Sequence, residues 1–219
     1  MTSTSLKKYS EKIKLELTPH EHALFESLDT PHKIQDYLDA LPMNFEQTAR
    51  SPRFVIRRQT AQCLEGAILA AALRAFHGHE PLLLDLQAIA EDDDHVVALF
   101  QERGYWGAIS QTNHAVLGWR DPIYATVREL AMSYVHEYFM RDGRNSMTAF
   151  SAKPFDLRQY DPQDWVASRR ELWWLANDLD EARHTPAVPR HLERNNLRLA
   201  SRVARKAAWG HAKWKAHKK

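Results

Sequence analysis

The chain has one cysteine, Cys63, and twelve histidines. A lone thiol cannot close an internal disulfide, so the fold cannot depend on one. A free cysteine commonly behaves as a small buried hydrophobe. A thiol enzyme, by contrast, needs the thiolate and an imidazole that exchanges its proton. The residues around Cys63 must therefore show which of these two interpretations applies.

Cys63 lies at the start of QCLEGAILAAALRAF, residues 62–76, whose strong helix formers and apolar density predict a helix buried on nearly every face. The first turn of a helix stabilises an anion, because its unpaired N–H groups and the helix dipole point at it. His95 opens the β-branched run HVVALFQ two elements later. His95 therefore fits the requirement for an imidazole that shares the proton of Cys63, which makes Cys63 the candidate nucleophile and predicts a depressed thiol pKa that depends on His95.

The elements around this pair predict an α+β fold. Thr30 and Pro31 open HKIQDYLDAL, a helix closed by Pro42. Three short apolar runs, at about residues 82–87, 95–101 and 105–110, read as strands with short connections. Consecutive strands of this kind pair antiparallel, so we expect the cysteine-bearing helix to pack on an antiparallel sheet.

The two ends of the chain are predicted differently. Residues Met1 to Lys14 are polar and suggest a frayed terminus. The later segments YATVRELAMSYVHEYF and SRRELWWLANDLDEAR have the spacing of two additional helices. No apolar run approaches the roughly 20 residues that cross a bilayer, and the start lacks the apolar stretch of a signal peptide, so we expect a cytoplasmic protein with no membrane contact.

Composition indicates one domain with a basic extension. Of the 219 residues 44% are hydrophobic and 26% charged, which is ordinary globular usage. The net charge of +2 divides into +9 from Arg190 to Lys219 and −7 elsewhere. Pro186 and Pro189 mark the boundary, so we predict a domain at 1–189 and a basic, partly helical tail at 190–219.

The tail has two interpretations. A solvated helix docked by its tryptophans is favoured, because runs of charge are usually solvated. Nucleic-acid contact is the alternative, since Trp209 and Trp214 interleave with lysines and arginines as aromatic residues do in single-strand binders.

Several phrases in fixed order carry a family resemblance. They are TPHKIQDYLDALPMNFE, SPRFV, CLEGAILAAALR, LLLDL, DDDHVVALF, WGAISQTNH and RELAMSYVHEYF. Over about residues 30–160 this set resembles the bacterial transglutaminase-like cysteine peptidases. The resemblance implies a transglutaminase-like, papain-like core, with Cys63 and His95 as its thiol and imidazole.

The third catalytic position departs from that family's pattern. Core transglutaminases have Asp four residues after a Trp, whereas Trp106 is followed at that spacing by Ser110, with Asn113 three residues further on. Ser110 is the positional match. Asn113 is the chemical match and the preferred one, because a carboxamide can hold an imidazole. Asp92, Asp93 and Asp94 are a less favoured source of negative charge.

Other polar residues near Cys63 have weaker signals. The backbone N–H of Cys63, with a side-chain amide from Gln59 or Gln62, could form an oxyanion hole. Glu65 and Gly66 are interpreted as structural, one as a charge at the helix start and the other as permitting close packing.

Cofactor sites are not expected. The pairs His20 and His22, and His77 and His79, with Asp92–His95 and His114, lack the spacings typical of zinc sites. The seven glycines form no phosphate-binding loop. Two functions remain: a thiol enzyme that transfers acyl groups or hydrolyses a peptide or amide bond, and a catalytically inactive fold that acts as a binding module. The enzyme leads; its substrate and oligomeric state are not readable from the sequence.

Overall fold

A computed structural model describes residues 3–189 and 197–209. Its centre is a seven-stranded antiparallel sheet formed by β1 (Leu82–Gln87), β2 (His95–Glu102), β3 (Tyr105–Ile109), β4 (Arg120–Tyr124), β5 (Ala149–Ser151), β6 (Phe155–Asp156) and β7 (His184–Pro186). The strand order is β4-β3-β2-β1-β5-β7, and β6 also pairs with β1. The α+β class and the three antiparallel strands β1 to β3 predicted from sequence are confirmed.

The helices α3 (Pro31–Ala40) and α5 (Cys63–Phe76) begin and end where the sequence predicts. Thr30 caps α3 by accepting a hydrogen bond from the Lys33 N–H. Every residue of α5 after Cys63 is buried, and the helix packs on β2. Burial of an entire helix explains why its sequence lacks a polar face.

The sheet separates two hydrophobic clusters, and β2 contributes to both. Val96, Ala98 and Phe100 pack with α5 and the amino-terminal helices, whereas Val97 and Leu99 pack with residues from the later part of the chain. Alternate side chains of a strand point to opposite faces, so His95 lies on the face opposite α5. His95 is the first residue of β2, so its side chain can approach the start of α5 only past the end of the strand.

The amino terminus is more ordered than predicted. Residues Ser3–Glu16 form α1, which packs against α5, with Ile13 completely buried. The Ser10 hydroxyl donates to the Phe76 carbonyl oxygen at 2.5 Å. The expected frayed terminus is therefore wrong for these residues, because their few apolar side chains meet tertiary partners. Helices α2 (Pro19–Ser27) and α4 (Pro52–Arg58) complete this layer.

The later helices are shorter than predicted. Helix α6 covers Val127–Met132 and is followed by turns rather than further helix. Helix α8 covers Trp173–Asp180, and a four-residue α7 (Pro162–Trp165) precedes it. Tyr134 and Tyr138, placed on the predicted helix, are buried in the cluster on the His95 face. Tertiary burial of these side chains has replaced helical continuation.

Helix α9 (Arg202–Trp209) lies within the segment predicted as a basic tail. It contacts the body, since the Ala115 N–H donates to the Ala208 carbonyl oxygen at 3.3 Å and Ala208 is buried. The interleaved arrangement that includes Trp214 extends outside the described residues. Among the described helices, none has the length and apolar character required to cross a bilayer.

Candidate active site

Cys63 is the first residue of α5 and lines a cleft of about 680 Å³. Its Sγ contacts two acceptors, the Gln62 Oε1 at 3.2 Å and the Asp94 carbonyl oxygen at 3.7 Å. Burial raises the thiol pKa to about 11, although the backbone N–H groups of Val96 and Leu64 oppose that shift. Desolvation of the anion outweighs the helix start, so the predicted depressed thiol pKa is not what the resting site shows.

His95, the first residue of β2, lines the same cleft and is buried. Its Nε2 lies 2.9 Å from the Ser110 Oγ and 3.2 Å from the Leu117 carbonyl oxygen. A carbonyl oxygen can only accept, so the hydrogen is assigned to Nε2 and the Nδ1 lone pair remains for the cleft. Burial lowers the imidazole pKa to about 4, and the positive charge of Arg120 acts in the same direction.

Ser110, rather than Asn113, contacts the imidazole. The Ser110 hydroxyl donates to the Leu117 carbonyl oxygen at 3.1 Å and so presents its lone pairs to His95. Asn113 is half-buried and lines the cleft, but no hydrogen bond within residues 3–189 joins it to His95. The structure thus brings Ser110, the positional match, to His95, and leaves Asn113, the residue preferred from the sequence, without that contact.

Cys63 and His95 line the same cleft but are not hydrogen-bonded to each other. The Sγ contacts Gln62 and Asp94, whereas the imidazole Nε2 contacts Ser110 and Leu117. With a thiol pKa of about 11 and an imidazole pKa of about 4, proton transfer before substrate binds is unfavourable. Any chemistry must couple proton transfer to attack by sulfur.

Neither glutamine offers a free amide to an oxyanion. The Gln62 Oε1 accepts from the Leu64 N–H, and its Nε2 donates to the Thr48 carbonyl oxygen at 2.9 Å. Gln59 ends α4 in the left-handed region, where its Nε2 donates to the Ile56 carbonyl oxygen. Both side chains hold local structure in this state, and the backbone N–H of Cys63 remains the expected donor.

No protein-family model matches the chain, and no curated protein matches it either. The transglutaminase-like resemblance accordingly stays a prediction, and the geometry of the cleft carries the functional argument.

Glu65 is a buried anchor that the sequence analysis understated. Its carboxylate is inaccessible to solvent and forms a capping box with Gln62. The Asn44 side chain, the Thr48 hydroxyl, and the backbone N–H groups of Arg50 and Gln62 all donate to it. These bonds attach the segment before α4 to the first turn of α5. The Q-x-x-E spacing was the available sequence signal.

Gly66 has the structural role that the sequence suggests. A Cβ at this position would lie 2.4 Å from the Gln111 Cβ. Glycine therefore lets α5 approach the segment after β3. In that segment, the Gln111 Nε2 donates to the Leu41 carbonyl oxygen at 3.1 Å. The close approach fixes the segment that carries Ser110 against the helix that carries Cys63.

The acidic run before β2 does not hold His95. Asp94 Oδ1 accepts from the Ala88 N–H at 2.6 Å, Asp92 Oδ2 accepts from the Ser146 hydroxyl, and the Asp93 carbonyl oxygen accepts from the Tyr138 hydroxyl at 2.6 Å. These contacts shape the turn. Because none of these carboxylates contacts the His95 imidazole, its side-chain partner is the neutral Ser110 hydroxyl.

A second group of titratable residues lies on the other side of Asp94. Carboxylate oxygens of Asp85, Asp94 and Asp180 lie within 4.8 Å of one another. Among the described residues, this group has the spacing needed to hold a cation. His184 Nε2 bonds Asp85 Oδ2 at 2.9 Å and compensates part of the charge. Burial and then the charge of Asp85 raise the Asp94 pKa to about 6. No sequence pattern indicates this group, because its members are distant in the chain.

Proposed function

We propose that the chain is a transglutaminase-like thiol enzyme that forms an acyl-enzyme on Cys63 from a peptide or amide substrate. One observation carries this proposal: a cysteine at the start of a buried helix and a histidine at the start of the adjacent strand line one cleft, with the histidine held through Nε2. The fold class and the order of elements support the transglutaminase-like assignment.

In the proposed reaction, the substrate carbonyl enters the cleft beside Cys63. His95 Nδ1 accepts the thiol proton while sulfur forms a bond to the carbonyl carbon. The tetrahedral intermediate then collapses, the C–N bond breaks, and the imidazolium returns the proton to the departing amine. Water or an amine attacks the thioester to release the acyl group. The Ser110 hydroxyl and the Leu117 carbonyl oxygen keep the hydrogen on Nε2 throughout.

Ser110 makes a catalytically inactive binding module the second candidate. A carboxylate partner would stabilise the imidazolium, and loss of the productive tautomer costs about 10⁴ in rate in serine enzymes. Here the partner is a hydroxyl, and the imidazole pKa is lowered to about 4. A fold that only binds peptides or amides would retain the cleft without needing the proton transfer.

Acyl-enzyme formation tests the proposal directly. Peptidyl 4-nitroanilides and the matching 4-nitrophenyl esters are incubated with the full chain, and the covalent adduct is measured by intact mass and peptide mapping. We expect an adduct at Cys63 that turns over slowly. We expect none in Cys63→Ala, and roughly 10²-fold slower acylation or more in His95→Ala, as for loss of a general base.

The outcome with esters separates the two candidates. An ester has the better leaving group and needs less help from an acid, so a weak enzyme would still be acylated by it. Absence of an adduct from both probe classes in a folded parent protein would overturn the enzyme proposal in favour of the binding module. Circular dichroism of each variant establishes that it folds.

A further inference from the structure

A second cavity adjoins the thiol cleft. Its volume is about 850 Å³, and it shares the wall formed by residues 43–46 with the cleft that contains Cys63. A hydrogen bond also joins the two walls, because the Trp173 Nε1 in the cleft wall donates to Glu171 Oε2 in the cavity wall at 2.5 Å. A chain bound across the thiol would therefore have this cavity beside it.

Three arginines line the cavity: Arg50, Arg58 and Arg169. Arg50 is already engaged, since it pairs with Glu46 and its Nη1 donates to the Thr60 hydroxyl at 2.9 Å. Arg58 and Arg169 are exposed, and neither has a side-chain hydrogen bond or ion pair to any described residue. The cavity thus contains two guanidinium groups whose donors are available to a ligand.

The chemistry of these groups favours a carboxylate. Guanidinium offers a planar set of donors that binds a carboxylate or phosphate through two parallel hydrogen bonds. Glu46 and Glu171 also line the cavity, and their negative charge disfavours a polyanion such as nucleic acid. Met43 and Phe54 supply apolar wall for the stem of a side chain. A single acidic group on a largely neutral chain satisfies all three features.

We propose that this cavity, the arginine cavity, binds an acidic side chain of the peptide whose acyl group is attacked by Cys63. The inference rests on the proposed function for its substrate and adds a preference for Glu or Asp close to the reacting bond. Arg58 and Arg169 are then specificity-determining residues that contact the substrate carboxylate without touching the reacting atoms.

Binding is tested without turnover, using Cys63→Ala as the parent. Fluorescein-labelled decapeptides carry one Glu scanned through successive positions, and a matched set carries Gln. Fluorescence anisotropy should show at least one register in which the Glu peptide binds roughly 10-fold more tightly than its Gln partner, the effect expected for one good charged contact.

Neighbouring arginines provide matched controls. Arg57 and Arg170 are exposed and precede or follow the cavity arginines in sequence, but they do not line the cavity. The double variant Arg58→Gln/Arg169→Gln should abolish the preference for Glu. Arg57→Gln/Arg170→Gln, which has the same net charge, should preserve it.

Each result supports or overturns the inference. Equal binding of Glu and Gln peptides at every register, no binding of either set, or equal loss in both double variants would overturn it. A Glu preference that requires Arg58 and Arg169 but occurs without any acyl adduct in the cysteine-containing chain would support the arginine cavity while rejecting the catalytic proposal. An acyl adduct on Cys63 without a preference for Glu would support the catalytic proposal and overturn the arginine cavity.

Discussion

Two histidines in this protein, the buried His95 and the partly buried His184, have opposite partners. His95, at the start of β2, is held by the Ser110 hydroxyl and a backbone carbonyl oxygen, and burial lowers its pKa to about 4. His184, on β7, bonds the buried carboxylate of Asp85, and that hydrogen bond raises its pKa. The imidazolium form is thus disfavoured at His95 and stabilised by the carboxylate partner at His184.

Burial without an anionic partner lowers the pKa of His95, whereas the hydrogen bond to Asp85 raises the pKa of His184. An anion beside a ring stabilises its protonated form, whereas a hydroxyl in a desolvated site does not. His184 does not line the thiol cleft, and His95, which does, has a neutral partner. Under the proposed function, proton transfer would therefore be coupled to attack by sulfur, because the site has no anion to stabilise a preformed ion pair.

The largest expected effect is on the carboxylate-bound histidine. His184→Ala leaves Asp85 buried beside two further carboxylates without its partner. Loss of one member of a buried pair costs roughly 3–5 kcal/mol of the free energy of unfolding. Urea denaturation at pH 6 measures it. His184→Gln, which keeps a donor, should lose less; equal losses in the two variants would contradict the role of the hydrogen bond.

The pH dependence of stability should have opposite signs for the two histidines. The folded pKa of His95 is below the unfolded value, so its contribution is present above about pH 6.5 and is lost as pH falls towards 4. The folded pKa of His184 is raised, so its contribution is present below about pH 6.5 and is lost at higher pH.

Urea denaturation of His95→Gln and His184→Gln between pH 4.5 and 8.5 checks these signs. The free energy of unfolding of the parent minus that of His95→Gln should increase with pH by roughly 1–3 kcal/mol over the lower half of the range. The corresponding difference for His184→Gln should decrease over the upper half. Two differences of the same sign would refute the contrast.

Giving His95 a carboxylate should make the two sites alike. Ser110→Asp places an anion beside Nε2, which should raise the imidazole pKa and lower the thiol pKa. Each unit of thiol pKa changes the thiolate fraction about tenfold, so iodoacetamide should alkylate Cys63 roughly 10-fold faster at pH 7.5. Ser110→Asn is the neutral control of matching size. Equal rates in the two variants would show that charge at this position does not act on the thiol.

The smallest effect is expected at Asn113. Because Ser110 holds the imidazole, Asn113→Ala should change the alkylation rate of Cys63 less than about twofold and the free energy of unfolding by roughly 0.5 kcal/mol or less. Both are measured beside Ser110→Ala, which should alter the pH dependence of alkylation. A larger effect of Asn113→Ala than of Ser110→Ala would restore Asn113 as the orienting residue.

Local patterns predicted the parts of this molecule whose neighbours in space are neighbours in sequence. The apolar run of α5, the capping Thr30 of α3 and the three short strands all have boundaries close to those predicted. The segment after Thr126 was predicted as one long helix and forms six residues of helix followed by turns, because Tyr134 and Tyr138 are buried against the sheet. Periodicity cannot report which side chains a distant strand will cover.

The candidate site also combines features that local sequence predicts with features that depend on distant contacts. The residue pattern alone places a lone thiol at a helix start, a histidine at the start of a strand and Ser110, which is not an acid, four residues after Trp106. Tertiary structure decided the rest: Ser110 instead of Asn113 as partner of His95, the buried anchor at Glu65 and the pairing of Asp85 with His184, 99 positions apart. Folding also sets the directions in which the pKa values shift, because desolvation and nearby charges arise only when the chain folds.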